Sequence, residues 1–294
     1  MFLHYGKSKL IKNVTRITDG IVNEFLIEGS KKAVLFDTGL DLFNIKDYVA
    51  KLTKKELMVV NSHFHPDHAN GNHHFDTVYV GEADLPTFTT KDVYFKLVDD
   101  IVTATKKKYP KAAEKLMPWV DKLLMTKQGD TQYLPLKDGD EIDLGDKTLI
   151  VKDFPGHTPG SITLLDPAER FIYAGDASDI DIWMFTNPDC SLHEYAETGR
   201  RYYKEVQTLG YTRYRGAHMP LTHRISFMRD YAEWMDKLTP EKALMKFNVP
   251  GGKSQLCIAA APSMKHILFT SVYWAHQCER KEAAALPEEQ QQVG

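Results

Sequence analysis

One six-residue segment of this chain, His63-Phe64-His65-Pro66-Asp67-His68, crowds three imidazoles and a carboxylate together. These are donor types that hold zinc, iron or manganese. In an extended stretch residues two apart point the same way, so His63 and His65 can reach one ion. Asp67 and His68, on the turn that opens the next helix, are then free to face a second. Unpaired buried imidazoles are costly, so a coincidental polar loop is a poor account of the cluster.

A short loop cannot wrap two ions and still leave room for water and substrate, so further donors must come from distant strand ends. Three stand out. His157 lies in Pro155-Gly156-His157-Thr158-Pro159-Gly160, whose glycines and prolines allow a tight turn beside an ion. Asp176 follows a strand in Tyr173-Ala174-Gly175-Asp176 and could use both oxygens to bridge two metals. His218 ends the strand Tyr214-Arg215-Gly216-Ala217. Taken singly, His157 or Asp176 would more often be a turn residue; order and context reverse that.

Two divalent ions sharing a water would lower its pKa towards neutrality, while one of them polarises a carbonyl or phosphoryl oxygen. No Ser or Cys nucleophile is then needed. Asp67 is the candidate catalytic residue, able to ligate and to steer a proton to the leaving group. Ester, thioester, lactone and amide bonds are all open to this chemistry.

The order of these motifs resembles the metallo-β-lactamase superfamily: an HxHxDH motif, an isolated His in a GHTPGS-like turn, an Asp and a last His, over about residues 14 to 240. The resemblance implies an α/β fold, a four-layer αββα sandwich with the site at one edge of two facing sheets. It implies that His63, His65 and His157 bind one metal, that Asp67, His68 and His218 bind the other, and that Asp176 bridges. Asp37, in Leu35-Phe36-Asp37-Thr38-Gly39, matches the family's Asp-Thr-Gly turn and is expected to support the metal loop rather than ligate. The last His departs slightly, sitting in Gly216-Ala217-His218-Met219-Pro220. The implied cofactors are two divalent ions, zinc first, with iron or manganese as alternatives.

The elements that position these residues read as follows. Short β runs at Val14 to Ile17, Asn23 to Ile27 and Ala33 to Phe36 form a meander broken by turn signals. Helical spacing over Leu42 to Leu52 precedes a strand, Leu57 to Asn61, that delivers His63 to its carboxyl end. After a strand at Val78 to Val80, residues 83–127 read as a helical insertion. Strand signals resume at Tyr133 and continue through Thr148 to Val151, Ser161 to Leu165 and Phe171 to Ala174, as a second β layer. A helix from Leu192 to Leu209, a strand from Tyr211 to Ala217 and a helix from Ile225 to Leu238 follow. Gln255 to Val272 could hold one or two edge strands, and residues 279–294 read as a frayed tail after a single domain spanning 1–278.

Net charge is −3, and the one dense basic run, Lys106 to Lys108, is too short for a phosphate-binding track, so no nucleic-acid partner is expected. No window approaches the roughly 20 apolar residues of a membrane span. Three cysteines, Cys190, Cys257 and Cys278, match neither a disulfide framework nor a zinc ribbon and read as free thiols. With no export signal visible, the expected location is the cytoplasm. The substrate is expected to be a small molecule with an apolar part, and a homodimer is left open. The insertion and Ile182-Trp183-Met184-Phe185 are apolar enough to line a pocket. His73, His74, His193 and His223 lack metal spacing and read as ordinary surface or core histidines.

Fewer than 60 residues follow Leu238, with strand-like signals, which disfavours the helical glutathione-binding domain of a glyoxalase II. A lactonase or other acyl hydrolase fits best. The alternatives are a mononuclear-iron persulfide dioxygenase and a phosphodiester-cleaving nuclease of the same fold.

Overall fold

The computed structural model describes residues 5–90, 130–184, 187, 189–239, 245–248, 254–261 and 270–277, with Ile21 and Pro220 left aside. Four antiparallel strands come first: β1 (Gly6–Ile11), β2 (Val14–Thr18), β3 (Asn23–Glu28) and β4 (Lys32–Phe36). β4 then pairs in parallel with β5 (Glu56–Val60), and β6 (Thr77–Gly81) and β7 (Gln132–Leu136) extend the sheet in the same sense. Parallel neighbours require crossovers. Between β4 and β5 this is α1 (Ile45–Leu52), started by Asn44, whose side chain accepts the Asp47 N–H. Between β5 and β6 run α2 (Pro66–Ala69) and a 3-10 turn, Asn70–His74.

The second sheet contains β8 (Glu141–Asp143), β9 (Thr148–Asp153), β10 (Ile162–Asp166) and β11 (Phe171–Gly175). After β12 (Asp181–Trp183) and α4 (Leu192–Thr208), β13 (Arg213–Gly216) joins β11 in parallel and β14 (His223–Arg224) closes the edge. α4 starts on a reciprocal cap in which Ser191 and Glu194 satisfy each other's backbone N–H. α5 (Ser226–Met235) packs beside it.

Three apolar clusters define the layers. Phe25, Ile27, Val34, Phe36 and Val60 of the first sheet meet Leu149, Val151, Ile162, Leu164, Phe171 and Tyr173 of the second, so the two sheets face each other. Ile45 and Val49 of α1 pack on the other face of the first sheet, against Leu26, Ala33, Leu35 and Val59. Tyr195, Tyr202 and Val206 of α4, with Phe227, Met228 and Tyr231 of α5, cover the outer face of the second. Alternate side chains of a strand point to opposite faces, which is why β3 splits its apolar residues between two clusters. The result is the αββα sandwich.

Several expectations need correction. Tyr133 does not begin the second layer: β7 pairs in parallel with β6 and completes the first sheet, and the second starts at β8. β1 precedes the expected meander. The C-terminal strands β15 (Met245–Asn248), β16 (Ser254–Ala261) and β17 (Thr270–Gln277) are not edges of the sandwich; with β12 they form a third, four-stranded sheet. Ile182 and Met184 are core residues rather than pocket wall, while Trp183 is 43% exposed. Phe185 lies outside the described residues. Of the expected insertion, a 3-10 turn at Glu82–Asp84 and α3 (Leu85–Thr90) are described; residues 91–127 and the tail at 279–294 lie outside the described residues.

Candidate metal centre

The carboxyl ends of β5, β11 and β13 and the turn between β9 and β10 deliver the seven expected donors to one place. β5 runs into Asn61 and Ser62, and the extended His65 precedes Pro66, which opens α2 without needing a backbone N–H. The turn between β9 and β10 carries His157, β11 ends one residue before Asp176, and β13 ends two residues before His218.

His63, His65 and His157 converge: His157 Nε2 lies 3.1 Å from His63 Nε2 and 2.9 Å from His65 Nδ1. Asp67, His68 and His218 form a second group, with His218 Nε2 3.4 Å from Asp67 Oδ2 and His68 Nε2 3.6 Å from the same oxygen. Asp176 stands between them, Oδ1 3.4 Å from His68 Nε2 and Oδ2 3.3 Å from His218 Nε2 and 3.6 Å from His157 Nε2. All seven side chains of the expected set are therefore brought together.

Hydrogen bonding fixes where the imidazole lone pairs point. Asp37 Oδ2 accepts from His68 Nδ1 at 2.9 Å and from Ser62 Oγ at 2.9 Å, while Asp37 Oδ1 accepts the Ser62 N–H at 2.7 Å. Ser62 Oγ, having given its proton to Asp37, accepts from His63 Nδ1 at 2.9 Å. The His63 and His68 rings thus each carry a hydrogen on Nδ1 and turn Nε2 inward. His68 Nε2 and Asp176 Oδ1 are both buried and make no hydrogen bond among the described residues. Carboxylate oxygens at this distance call for a positive charge at His68 Nε2, a proton or a cation in its place, and the clustered nitrogen and oxygen donors fit divalent ions.

Charge at the site divides in the same way. Burial, with the neighbouring His68 and His65, pushes His63 well below the ordinary imidazole value, and burial lowers His157 to about 4. Burial also opposes protonation of His68, but Asp176, Asp67 and Asp37 outweigh it and hold the ring well above its ordinary value. For Asp67 and Asp176 burial raises the carboxyl, yet His68 and His218 more than offset it, so both are held below the usual carboxylate range.

Three supporting residues escape a reading of the sequence. Asp84, after β6, is fully buried and accepts from Thr158 Oγ1 and Gly160 N–H, each at 2.7 Å, bracing the His157 turn. Asp179 Oδ2 accepts the His218 N–H at 2.7 Å. Asn23 of β3 reaches across to the other half, its Nδ2 donating to the Ala217 and Met219 carbonyls on either side of His218. Asp84 had one signal, its place beyond the carboxyl end of a parallel strand. His193 pairs with Asp236 on the surface and His223 packs on Phe227, as ordinary histidines do. His73 and His74 instead meet Asp41.

The fold is an αββα sandwich with a cluster of His and Asp side chains at its edge, and the chain belongs to the metallo-beta-lactamase superfamily, whose sequence profile matches residues 17–81 and 96–237. Members of this superfamily bind divalent metals, and the clustered His and Asp side chains could hold them. Among similar proteins is the human acyl-coenzyme A thioesterase MBLAC2, 31% identical over 169 residues, covering 52% of this chain and 57% of that protein. The Bos taurus protein of the same name is 30% identical over 166 residues, with 52% and 57% covered. The chain thus spans a little over half the length of the curated relatives it matches. A metallo-beta-lactamase from Pontibacter korlensis superposes with a TM-score of 0.55 at 13% identity, over 80% of this chain and 100% of that one. An archaeal superfamily protein from Sulfolobus tokodaii gives 0.52 at 19% identity, over 79% and 86%. These solved structures share the fold.

Proposed function

We propose that this chain is a hydrolase that uses two divalent ions, zinc first, to cleave the thioester of a small acyl substrate of the acyl-coenzyme A type. The observation that carries the reading is the convergence of seven donors into two groups joined by Asp176. His63, His65 and His157 would hold one ion and Asp67, His68 and His218 the other, with Asp176 placed between the two groups. When bound, the ions supply an activated water and polarise the carbonyl oxygen of the substrate.

The chain's own residues set direction and leaving group. The histidines of the first group are almost wholly buried, whereas Asp67 and His218 are 30% and 23% exposed, so substrate approaches along the Asp67 and His218 side. Asp67 faces this opening as an ionised carboxylate that accepts a hydrogen bond from the attacking water and orients it. Carboxylates held this far below their usual range are poor proton donors. An amide nitrogen needs a proton to leave, while a thiol with a pKa of about 8.5 departs as thiolate. That difference favours a thioester, as do the thioesterase relatives. The same reading takes residues 1–278 as one unit acting in the cytoplasm on a small molecule, without a nucleic-acid or membrane partner. No helix among the described residues is long and apolar enough to cross a membrane.

Release of free thiol from acyl-coenzyme A of several chain lengths, beside ester and lactone panels, tests the proposal. Chelator-sensitive thiol release, restored by zinc and lost in Asp176→Ala with the circular dichroism unchanged, is the expected result. A single iron with oxygen uptake on a persulfide would move the assignment to a dioxygenase. Undiminished thiol release in Asp176→Ala would overturn the site.

A further inference from the structure

We infer that Asp41, His73 and His74 form a further divalent-cation site, separate from the seven donors of the main centre, that takes a zinc-class ion. The fold brings these residues together from two segments. Asp41 lies on the turn after β4, with φ at 54°, and its Oδ1 accepts the Ile45 N–H at the start of α1. His73 and His74 sit on the 3-10 turn Asn70–His74, and the bridge between Gly39 and Ala69 holds the two segments side by side.

One carboxylate oxygen faces both rings: Asp41 Oδ2 is 3.0 Å from His74 Nε2 and 3.6 Å from His73 Nε2. The ring centroids are 3.9 Å apart, and the three donor atoms lie within 4.8 Å of one another. Tetrahedral zinc with ligands at about 2.0–2.1 Å spaces its donors by about 3.3–3.4 Å, between the two observed separations.

The tautomer of His73 carries the argument further. Its Nδ1 lies 2.8 Å from the Asn70 carbonyl oxygen, which can only accept, so Nδ1 holds a hydrogen and the neutral ring turns the Nε2 lone pair towards Asp41. Without an ion each ring needs its own proton on Nε2 to face Asp41, which brings two like charges together at the stacked rings. A cation on all three donors satisfies every contact. The carbonyl behind His73 is also the partner that orients and strengthens an imidazole ligand.

Asp41 is buried at 2% side-chain exposure, while His73 and His74 keep 18% and 21%, so the site has an anchored carboxylate and an open side for the ion and its water. Two imidazoles select zinc and its neighbours over magnesium or calcium, which prefer oxygen. Lys46, on α1, donates to the His74 carbonyl oxygen at 2.7 Å, and its charge tempers the affinity. An ion here would pin the turn that follows Asp37 to the segment that carries Asp67 and His68.

The test uses the full chain, stripped with chelator and titrated with zinc against a chromophoric competitor. His73→Ala/His74→Ala should bind one zinc fewer per chain than wild type. Asp41→Asn, which keeps an oxygen for the Ile45 N–H, should lose or weaken the same equivalent even if the double variant folds poorly. Because the result is read as a difference, failure of the main centre lowers all three proteins alike and leaves the difference intact. Equal stoichiometry and affinity in wild type and Asp41→Asn would overturn the site.

Discussion

Asp37 accepts a hydrogen bond from His68 Nδ1 at 2.9 Å, and that bond aims the opposite ring nitrogen at Asp176. Neither the tautomer nor the ring angle of His68 is left to chance. Asp37→Ala should therefore weaken metal binding by about 10–100-fold, the usual cost of losing a partner behind a ligand. Competition with a chelator of known affinity measures it, and an unchanged constant would show that Asp37 serves the fold alone.

Metal binding should stabilise the protein, because the unfolded chain cannot assemble donors from four separate segments. A ligand at about 100 times its dissociation constant adds about 2.7 kcal/mol. For a chain of this length that is several degrees in Tm. Scanning fluorimetry of chelator-stripped protein, with and without added zinc, should show the rise in wild type and a much smaller one in His63→Ala.

Burial pushes Asp84 up to about 7, against hydrogen bonds from Thr158 and Gly160 that lower it. Its folded value then lies above the unfolded one of about 3.9, so folding takes up a proton between the two. The contribution to stability is therefore fullest below about pH 4 and is lost as pH rises towards 7. Urea midpoints across that interval should fall more steeply for wild type than for Asp84→Asn; parallel curves would contradict the assignment.

Gly175 holds the strand end that presents Asp176, with φ at 52° and a Cβ position only 2.4 Å from Ser62 Cβ. Any side chain there must displace Ser62, the residue that links Asp37 to His63. Gly175→Ala should cost about 2–4 kcal/mol from left-handed backbone and overpacking together. Chemical denaturation gives the stability, and zinc affinity should fall with it.

The metal loop was legible because its information is local: six consecutive residues show both donor type and spacing. α4 was legible as well: the expected helix from Leu192 to Leu209 is observed over Leu192–Thr208. The sheet to which β7 belongs was not, since a strand's own pattern does not name its neighbour, and β7 is placed by parallel pairing with β6 across the segment between them. β1 was missed because Lys7, Ser8 and Lys9 face solvent and give no apolar alternation. Asp84, Asp179 and Asn23 are single polar residues whose work appears only when another segment of chain arrives beside them. His73 and His74 were set aside because their carboxylate partner, Asp41, lies in a different turn.

The reach of Asn23 to Met219 has a bearing on how the protein matures. These two residues are 196 positions apart, and the bond sits beside His218. A nascent chain that has not yet presented β13 to β3 already contains six of the seven donors. Contacts this far apart in sequence form only after loop closure, so this corner depends on the rest of the chain being present. His218 is the last of the seven side chains to be made, so the three-histidine cluster can assemble before the corner that carries His218 is closed.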